Sequence, residues 1–348
     1  MKEMTQEKMI HVALCFSDTN GEYSRYVLAV IAQAISHTKN PIMFHLVHDQ
    51  TLKKTRQNAL QSYIDTHGAA VKFYDISKEP EFTQMNNGML YRLFLPRLLP
   101  SLERIIYLDG DVFIMKDLSQ LWNIDLDNCS LAAVPDIKET QHFIRTQRYY
   151  RKQKLDADRY FNSGVLLMNL KYIRQHVDLI AEYLSYIHKF PHALMLDQDF
   201  LNYLFQNSTH LLPVSYNFIS YDLSNLTEDI AKKQIIVHLA GRYKAWDCRN
   251  PFVIAYFSRY YAENFSSETR MEGLCDYMST LPIRHFNKMR LNYALMEMEK
   301  NDKSGKMLSL KCILKGLLND KGYKKAADCM TYIRHYFLYS FYYCYIRK

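Results

Sequence analysis

Seven short apolar runs with β character punctuate the first two thirds of the chain, at residues 12–16, 42–47, 71–74, 105–108, 131–134, 165–169 and 235–239. Helical periodicity fills the gaps between the early runs, at 26–36 and 51–66, and precedes the fourth at 88–98. Strand alternating with helix predicts an α/β fold whose mixed, mostly parallel sheet carries helices on both faces. The β runs stop near Tyr261, and the remainder reads as helical and polar-aromatic, with a loop around 301–305. We expect a main domain over 1–265 and a smaller helical region over 266–348, with neither a fixed-period repeat nor a low-complexity linker.

The fourth run ends in candidate chemistry. Residues 105–115 read Ile-Ile-Tyr-Leu-Asp-Gly-Asp-Val-Phe-Ile-Met, an apolar strand leading straight into Asp109-Gly110-Asp111. Open α/β sheets bind ligands at the carboxyl edge of their strands. Two hard oxygen donors there suit a divalent cation and, through it, a phosphate. The same residues also read as a plain turn, since Asp-Gly is a favoured turn pair. Ser17-Asp18-Thr19-Asn20 follows the first run in a similar way and adds a second polar loop to that edge.

Composition narrows the classes. With 348 residues, 48% hydrophobic and 23% charged, the chain can bury a full core, which argues against disorder. The first apolar run is too short for a signal peptide, and no stretch reaches the roughly 18 uncharged apolar residues needed to cross a bilayer. We therefore expect a soluble, cytoplasmic protein. Seven cysteines form no Cys-x-x-Cys pair, and the odd count fits reduced thiols. The net charge is +8, and residues 311–348 concentrate Lys, Arg, Tyr and Phe with few acids, which points to an anionic neighbour.

Three further segments add to the acidic pair: Phe161-Asn162-Ser163-Gly164, Leu196-Asp197-Gln198-Asp199, and His238-Leu239-Ala240-Gly241-Arg242-Tyr243-Lys244-Ala245-Trp246. His238 lies in the run at 235–239, so its imidazole is expected on the same exposed sheet edge as Asp111, where it completes a metal site. Gly241 permits close backbone approach to an oxyanion, Lys244 supplies a point charge to a phosphate, and Trp246 can wall the pocket.

Four motifs in this order, the loop at Asp18, the Asp109-Gly110-Asp111 turn, the Asn-Ser-Gly and Asp-Gln-Asp segments, and the His238-x-x-Gly241-x-x-Lys244 segment, resemble glycosyltransferase family 8, which includes bacterial lipooligosaccharide galactosyltransferases and glycogenin. The resemblance covers residues 10 to about 250. It implies a GT-A fold and a UDP-sugar donor, UDP-galactose or UDP-glucose, used with retention. It also implies Mn²⁺ or Mg²⁺ held by Asp109, Asp111 and His238. Asp18 and Asn20 would lie near the uracil and ribose, Arg92 and Gly110 near the donor, and Gly241 and Lys244 at the diphosphate. Asn162, Asp197 and Gln198 would face the transferred sugar, with Asp136 on the donor and acceptor side. We take Gln198, Asp136 and Asp197 as the candidate catalytic residues. An amide at Gln198 is a poor nucleophile, which favours front-face attack by the acceptor over double displacement. The acceptor would be a hydroxyl of a glycan, a lipid-linked glycan or a glycoprotein in bacterial surface glycan synthesis. One departure stands out, since the family's usual Lys-Pro-Trp is Lys244-Ala245-Trp246 here.

Competing readings rest on the same residues. A strand followed by Asp-x-Asp also opens haloacid-dehalogenase phosphatases, but Phe113 stands where those enzymes place Thr or Val. A chain that binds UDP-sugar without transferring it, acting as an interaction partner, is the non-enzyme alternative. Asp197 can be read as a helix cap, and His45 and His48 as hydrogen-bonded structural groups rather than ligands. The basic, aromatic tail reads either as a docked helix or as a peripheral contact with anionic membrane on the inner face of the plasma membrane. Single-stranded nucleic acid ranks last, for want of a binding signature.

Overall fold

The computed structural model describes residues 9–191, 195–220, 226–240, 244, 252–253, 256–257 and 260. The expected boundary near 265, the tail, Gly241, Ala245 and Trp246 lie outside the described residues. Two compact units are present: one comprises Met1–Tyr221 with Glu228–Gly241, the other Asp222–Thr227 with Arg242–Lys348. In the second unit Phe252, Tyr256 and Tyr260 follow one another at helical spacing, with ring centroids 5.7 and 5.1 Å apart.

The first unit opens with β1 (Ile10–Phe16), α1 (Tyr23–His37), β2 (Ile42–His48), α2 (Lys54–Thr66) and β3 (Ala70–Asp75). The second helix starts three residues later than its periodicity predicts. Thr51 is held in a turn instead: its N–H donates to Asp49 Oδ1 at 2.9 Å, and its hydroxyl accepts the Asp18 N–H at 2.6 Å. The pattern at 88–98 resolves into a 3₁₀ helix, Gly88–Phe94, and a short α3, Leu95–Leu98, with Pro96 in its first turn. Next come β4 (Arg104–Leu108), β5 (Val112–Ile114), α4 (Ser119–Trp122), β6 (Leu131–Pro135), α5 (Lys138–Thr146), α6 (Arg148–Lys152) and β7 (Phe161–Asn169). The unit ends with α7 (Leu170–His176), α8 (Leu179–Lys189), α9 (Leu196–Phe205), β8 (Thr209–Leu211), β9 (Phe218–Ile219), α10 (Glu228–Lys233) and β10 (Ile236–His238).

Seven strands form one sheet in the order β3-β2-β1-β4-β7-β6-β8. All run in one direction except β7, which is antiparallel to both its neighbours. Side-chain alternation divides the core. Val12, Leu14, Ile106, Leu108, Val165 and Leu167 pack with α1 on one face, while Ala13, Cys15, Ile105, Tyr107, Leu166 and Met168 pack with the 3₁₀ helix, α3 and α7 to α9 on the other. This is the expected mostly parallel α/β architecture. No described helix is long and apolar enough to cross a membrane.

Two expectations need correction. The run at 235–239 does not join the main sheet. Instead β10 pairs antiparallel with β5 and parallel with β9 in a separate three-stranded sheet. Nor is its edge exposed: Asp111 and His238 are both buried. His45 and His48 behave as structural groups, with His45 between His11 (2.9 Å) and the Tyr74 hydroxyl (3.0 Å), and His48 Nδ1 2.9 Å from the Asp49 carbonyl.

Candidate active site

Strand direction assembles the site. Because β7 runs against β4, the start of β7 meets the end of β4, and the Asp109 N–H donates to the Gly164 carbonyl at 2.8 Å. Asn162, Ser163 and Gly164 thereby lie beside the acidic turn. The chain then turns through Gly110 into β5, where Val112 pairs with His238 and the Leu239 N–H donates to the Asp111 carbonyl at 3.0 Å. One carboxylate thus comes from the main sheet, the other from the turn, and the imidazole from the small sheet.

Ligand atoms of Asp109, Asp111 and His238 lie within 4.8 Å of one another. His238 Nε2 is 3.3 Å from Asp111 Oδ1 and 3.8 Å from Asp109 Oδ2. The other oxygen of Asp109 is already satisfied, by the Tyr107 hydroxyl at 2.5 Å and Arg92 Nη2 at 2.8 Å. Backbone donors settle the polarity of the rest. The Gly164 N–H, 3.0 Å away, identifies the facing Asn162 atom as oxygen. That oxygen also faces Asn217 Nδ2 at 2.9 Å and His238 Nδ1 at 3.2 Å, so Nδ1 must carry the proton. In the neutral ring Nε2 is then bare and turned toward the two acids, the tautomer a metal requires. Two carboxylates and one imidazole fit Mn²⁺ or Mg²⁺ in donor chemistry as well as in orientation.

Gly164 is required by this closeness. A Cβ there would overlap the His238 ring and sit 2.7 Å from Asp109 Oδ2. We expect Gly164→Ala to displace the imidazole or the carboxylate and to weaken Mn²⁺ binding at least about tenfold, as measured by calorimetric titration. Unchanged affinity would contradict the arrangement.

A second network adjoins the first. Asp197 lies in the first turn of α9 but does not cap it. Its Oδ2 accepts from the Ser163 hydroxyl at 3.1 Å and pairs with Arg92 Nε at 3.3 Å. Burial pushes the Asp197 carboxyl up to about 6; Arg92 opposes the shift and the charge of Asp109 adds to it. Gln198 Oε1 accepts from the Ser163 N–H at 3.0 Å and Asn162 Nδ2 at 3.1 Å, which leaves Nε2 to donate to Asp136 Oδ2 at 2.9 Å. The amide is therefore held in one orientation, between the sugar-facing candidates and Asp136.

Arg92 is the hub beneath both networks. It is 2% exposed, donates to the Ser163 carbonyl at 2.6 Å and the Met89 carbonyl at 3.0 Å, and lies over the Tyr107 ring. Burial alone would lower its pKa, but the Asp109 and Asp197 carboxylates outweigh burial and raise it. Asp18 lies at the end of β1, buried, with Oδ1 accepting the Ser24 N–H at 2.9 Å and Oδ2 without a partner. Asn20 is exposed in the same loop, Gly110 packs against Tyr23, and Lys244 belongs to the second unit.

Several participants escaped the sequence reading. Tyr107 and Ser163 sit inside recognised motifs as apparent strand residues. Asp199 is fully buried and accepts the Tyr160 hydroxyl at 2.6 Å, which raises that phenol well above its ordinary range, chiefly through burial. Asn217, also fully buried, orients Asn162 from a segment with no motif.

Residues 12–249 match the family model described as Glycosyl transferase family 8. General stress protein A of Bacillus subtilis is 24% identical over 278 residues, covering 73% of this chain and 94% of the relative. Lipopolysaccharide 1,2-glucosyltransferase of Escherichia coli is 30% identical over 175 residues, covering 46% of this chain and 49% of the relative. Among solved structures, the galactosyltransferase LgtC in complex with donor and acceptor sugar analogs superposes with a TM-score of 0.60 at 22% identity, over 75% of this chain and 99% of that one. The family match spans well over half of the sequence and includes the acidic turn, the buried carboxylate–amide network and His238, and the chain belongs to glycosyl transferase family 8, with a GT-A fold.

Proposed function

We propose that the protein transfers a hexose, galactose or glucose, from a UDP-sugar to a hydroxyl of a glycan, glycolipid or glycoprotein acceptor, with retention and with dependence on Mn²⁺ or Mg²⁺. The observation that carries this reading is the junction of the Asp109–Asp111–His238 cluster with the Asp197–Gln198 network through Arg92, Asn162 and Ser163. The lipopolysaccharide glucosyltransferase among the relatives supports a role in bacterial surface glycan synthesis.

In this reading Asp109, Asp111 and His238 Nε2 hold the cation. When bound, it offsets the charge that develops on the departing diphosphate. Asp197 serves the sugar. No side chain donates to its Oδ1 among the described residues, so that oxygen is left to accept from a sugar hydroxyl, while Ser163 and Arg92 fix the carboxylate's direction. Gln198 presents an amide, committed at both ends, toward the sugar face. A group so held positions and cannot readily attack, which favours front-face delivery of the acceptor hydroxyl, with its proton passing to the leaving phosphate oxygen. Asp18 Oδ2, buried and unpartnered, suits an N–H of the nucleobase.

The Asp197 role separates sugar from nucleotide. Losing a hydrogen bond to a charged group costs on the order of 1.5–3 kcal/mol. Asp197→Ala is therefore expected to cut transfer at least about tenfold while UDP affinity changes little. Equal losses for UDP and UDP-hexose would show that the residue serves the fold or the nucleotide. In the wild type, transfer should fall on the acid side of about pH 6, where Asp197 takes up its proton and ceases to be a pure acceptor.

A further inference from the structure

Between Asp136 and Asn162 the chain leaves the sheet edge and returns to it. The excursion, residues 137–159, carries seven Lys or Arg against three Asp or Glu, 7 − 3 = +4, half of the net +8 of the whole chain in 23 residues. It is a built element. Ile144, Tyr150 and Ala157 form a small core of their own with Tyr160. Tyr150 and Tyr160 both donate to Asp199 in α9, at 3.3 and 2.6 Å, and the Asp136 N–H closes the base on the Tyr160 carbonyl at 2.8 Å.

Part of its charge is structural. Arg145 pairs with Asp158 at 2.6 Å, and Arg159 donates to the carbonyls of Gln206 and Thr209. Arg151 turns back onto the carbonyls of Arg145 and Thr146, closing the corner between α5 and α6. Lys138, Arg148, Lys152 and Lys154 are left exposed, with no side-chain partner among the described residues. Arg148 and Lys152, four apart on α6, face the same way and gain nothing from each other. A fold keeps such repelling cations together at no benefit to its own stability, so an anion outside the chain is their natural counterpart.

Position says which anion. Both ends of the excursion join the Asp136–Gln198 pair, and Asp136 is the residue that the family resemblance puts on the donor and acceptor side, an assignment within the proposed function on which this step rests; the Asp109–Asp111–His238 cluster, which would serve the diphosphate, lies at the end of β4, in the β4–β5 turn and on β10. What lies beyond the transferred sugar is the acceptor. We infer that the acceptor is an anionic glycan or glycan polymer, bearing phosphate or carboxylate groups, whose charge is read by the exposed cations of α5, α6 and the residues that follow them.

The test uses the full chain with Mn²⁺ and UDP, a fluorescein-labelled poly(glycerol phosphate) oligomer as the anionic probe, and a labelled maltodextrin of equal length as the neutral one. Fluorescence anisotropy should report binding of the anionic probe that weakens as salt rises, with little binding of the neutral probe. Arg148→Glu/Lys152→Glu should weaken binding of the anionic probe at least about tenfold without lowering the melting temperature, because both side chains are exposed and unpartnered. Equal binding of the two probes by the wild type, or undiminished anionic binding by the variant, overturns the inference. So does sedimentation with phosphatidylglycerol vesicles that the variant loses while the free oligomer does not bind, since the partner is then a membrane surface. Release of UDP from UDP-hexose by the wild type, followed separately, tests the transferase reading by itself.

Discussion

Asp111→Asn and His238→Ala are each expected to lower transfer at least about 100-fold and to abolish the rise in melting temperature that Mn²⁺ gives the wild type. A Lewis acid contributes several kcal/mol to stabilising a developing phosphate charge, and about 1.4 kcal/mol corresponds to each factor of ten in rate. The effect on the metal-free fold should be unlike an ordinary buried substitution. Asp109 and Asp111 converge on one small volume, so neutralising Asp111 relieves repulsion, and the Asp111→Asn chain should melt no lower than the wild type in EDTA. Removing His238 instead takes one of three donors from Asn162 Oδ1 and leaves a cavity beside Gly164, so a modest loss of stability should accompany it. Differential scanning fluorimetry with and without Mn²⁺ separates these outcomes. A variant that keeps both its metal-dependent rise and its turnover would remove that residue from the metal site.

Arg92→Met is expected to be strongly destabilising. The guanidinium neutralises Asp109 and Asp197 together and also satisfies two backbone carbonyls. Breaking a buried ion pair from one side costs about 3–5 kcal/mol, because the abandoned charge stays buried. For a domain of this size that corresponds to a fall in melting temperature on the order of 10 °C. Asp109 is 26% exposed, and water can relieve part of its loss, so the cost should fall toward the lower end of the range. Arg92→Lys restores the charge without the planar fork and should recover only part of the stability. A melting temperature unchanged in Arg92→Met would mean that the two carboxylates are not held by this residue.

What the sequence made legible was whatever leaves a local trace. Apolar runs exposed six of the seven strands of the main sheet, all but the three-residue β8, and the acidic pair stood out at the end of one of them. The residues named from the family resemblance at 92, 109, 111, 136, 162, 197, 198 and 238 are drawn into one connected set. What stayed hidden depends on direction and distance. A run such as 165–169 does not announce that its strand is reversed, yet that reversal puts Asn162 next to Asp109. Strands as short as β5, β9 and β10 have too few residues for a period, so the small sheet that buries His238 could not be anticipated. Asn217 contributes through one amide hydrogen atom delivered from 55 residues away, and nothing local distinguishes it from a loop asparagine. Burial of Asp111 and His238 was missed for the same reason, since the two sheets meet there, with His238 paired to β5 and facing Asn162 of β7.

Metal-dependent hexosyl transfer can be read from the products formed from UDP-galactose or UDP-glucose with Mn²⁺ and a panel of glycan, glycolipid and glycoprotein acceptors, analysed by mass spectrometry in parallel with EDTA. The expected result is UDP together with an acceptor heavier by one hexose for one of the two donors, lost in EDTA and restored by Mn²⁺. Tight binding of UDP and Mn²⁺ with neither UDP release nor a hexose-extended product from either donor would contradict it, leaving a nucleotide-sugar-binding protein in place of a transferase.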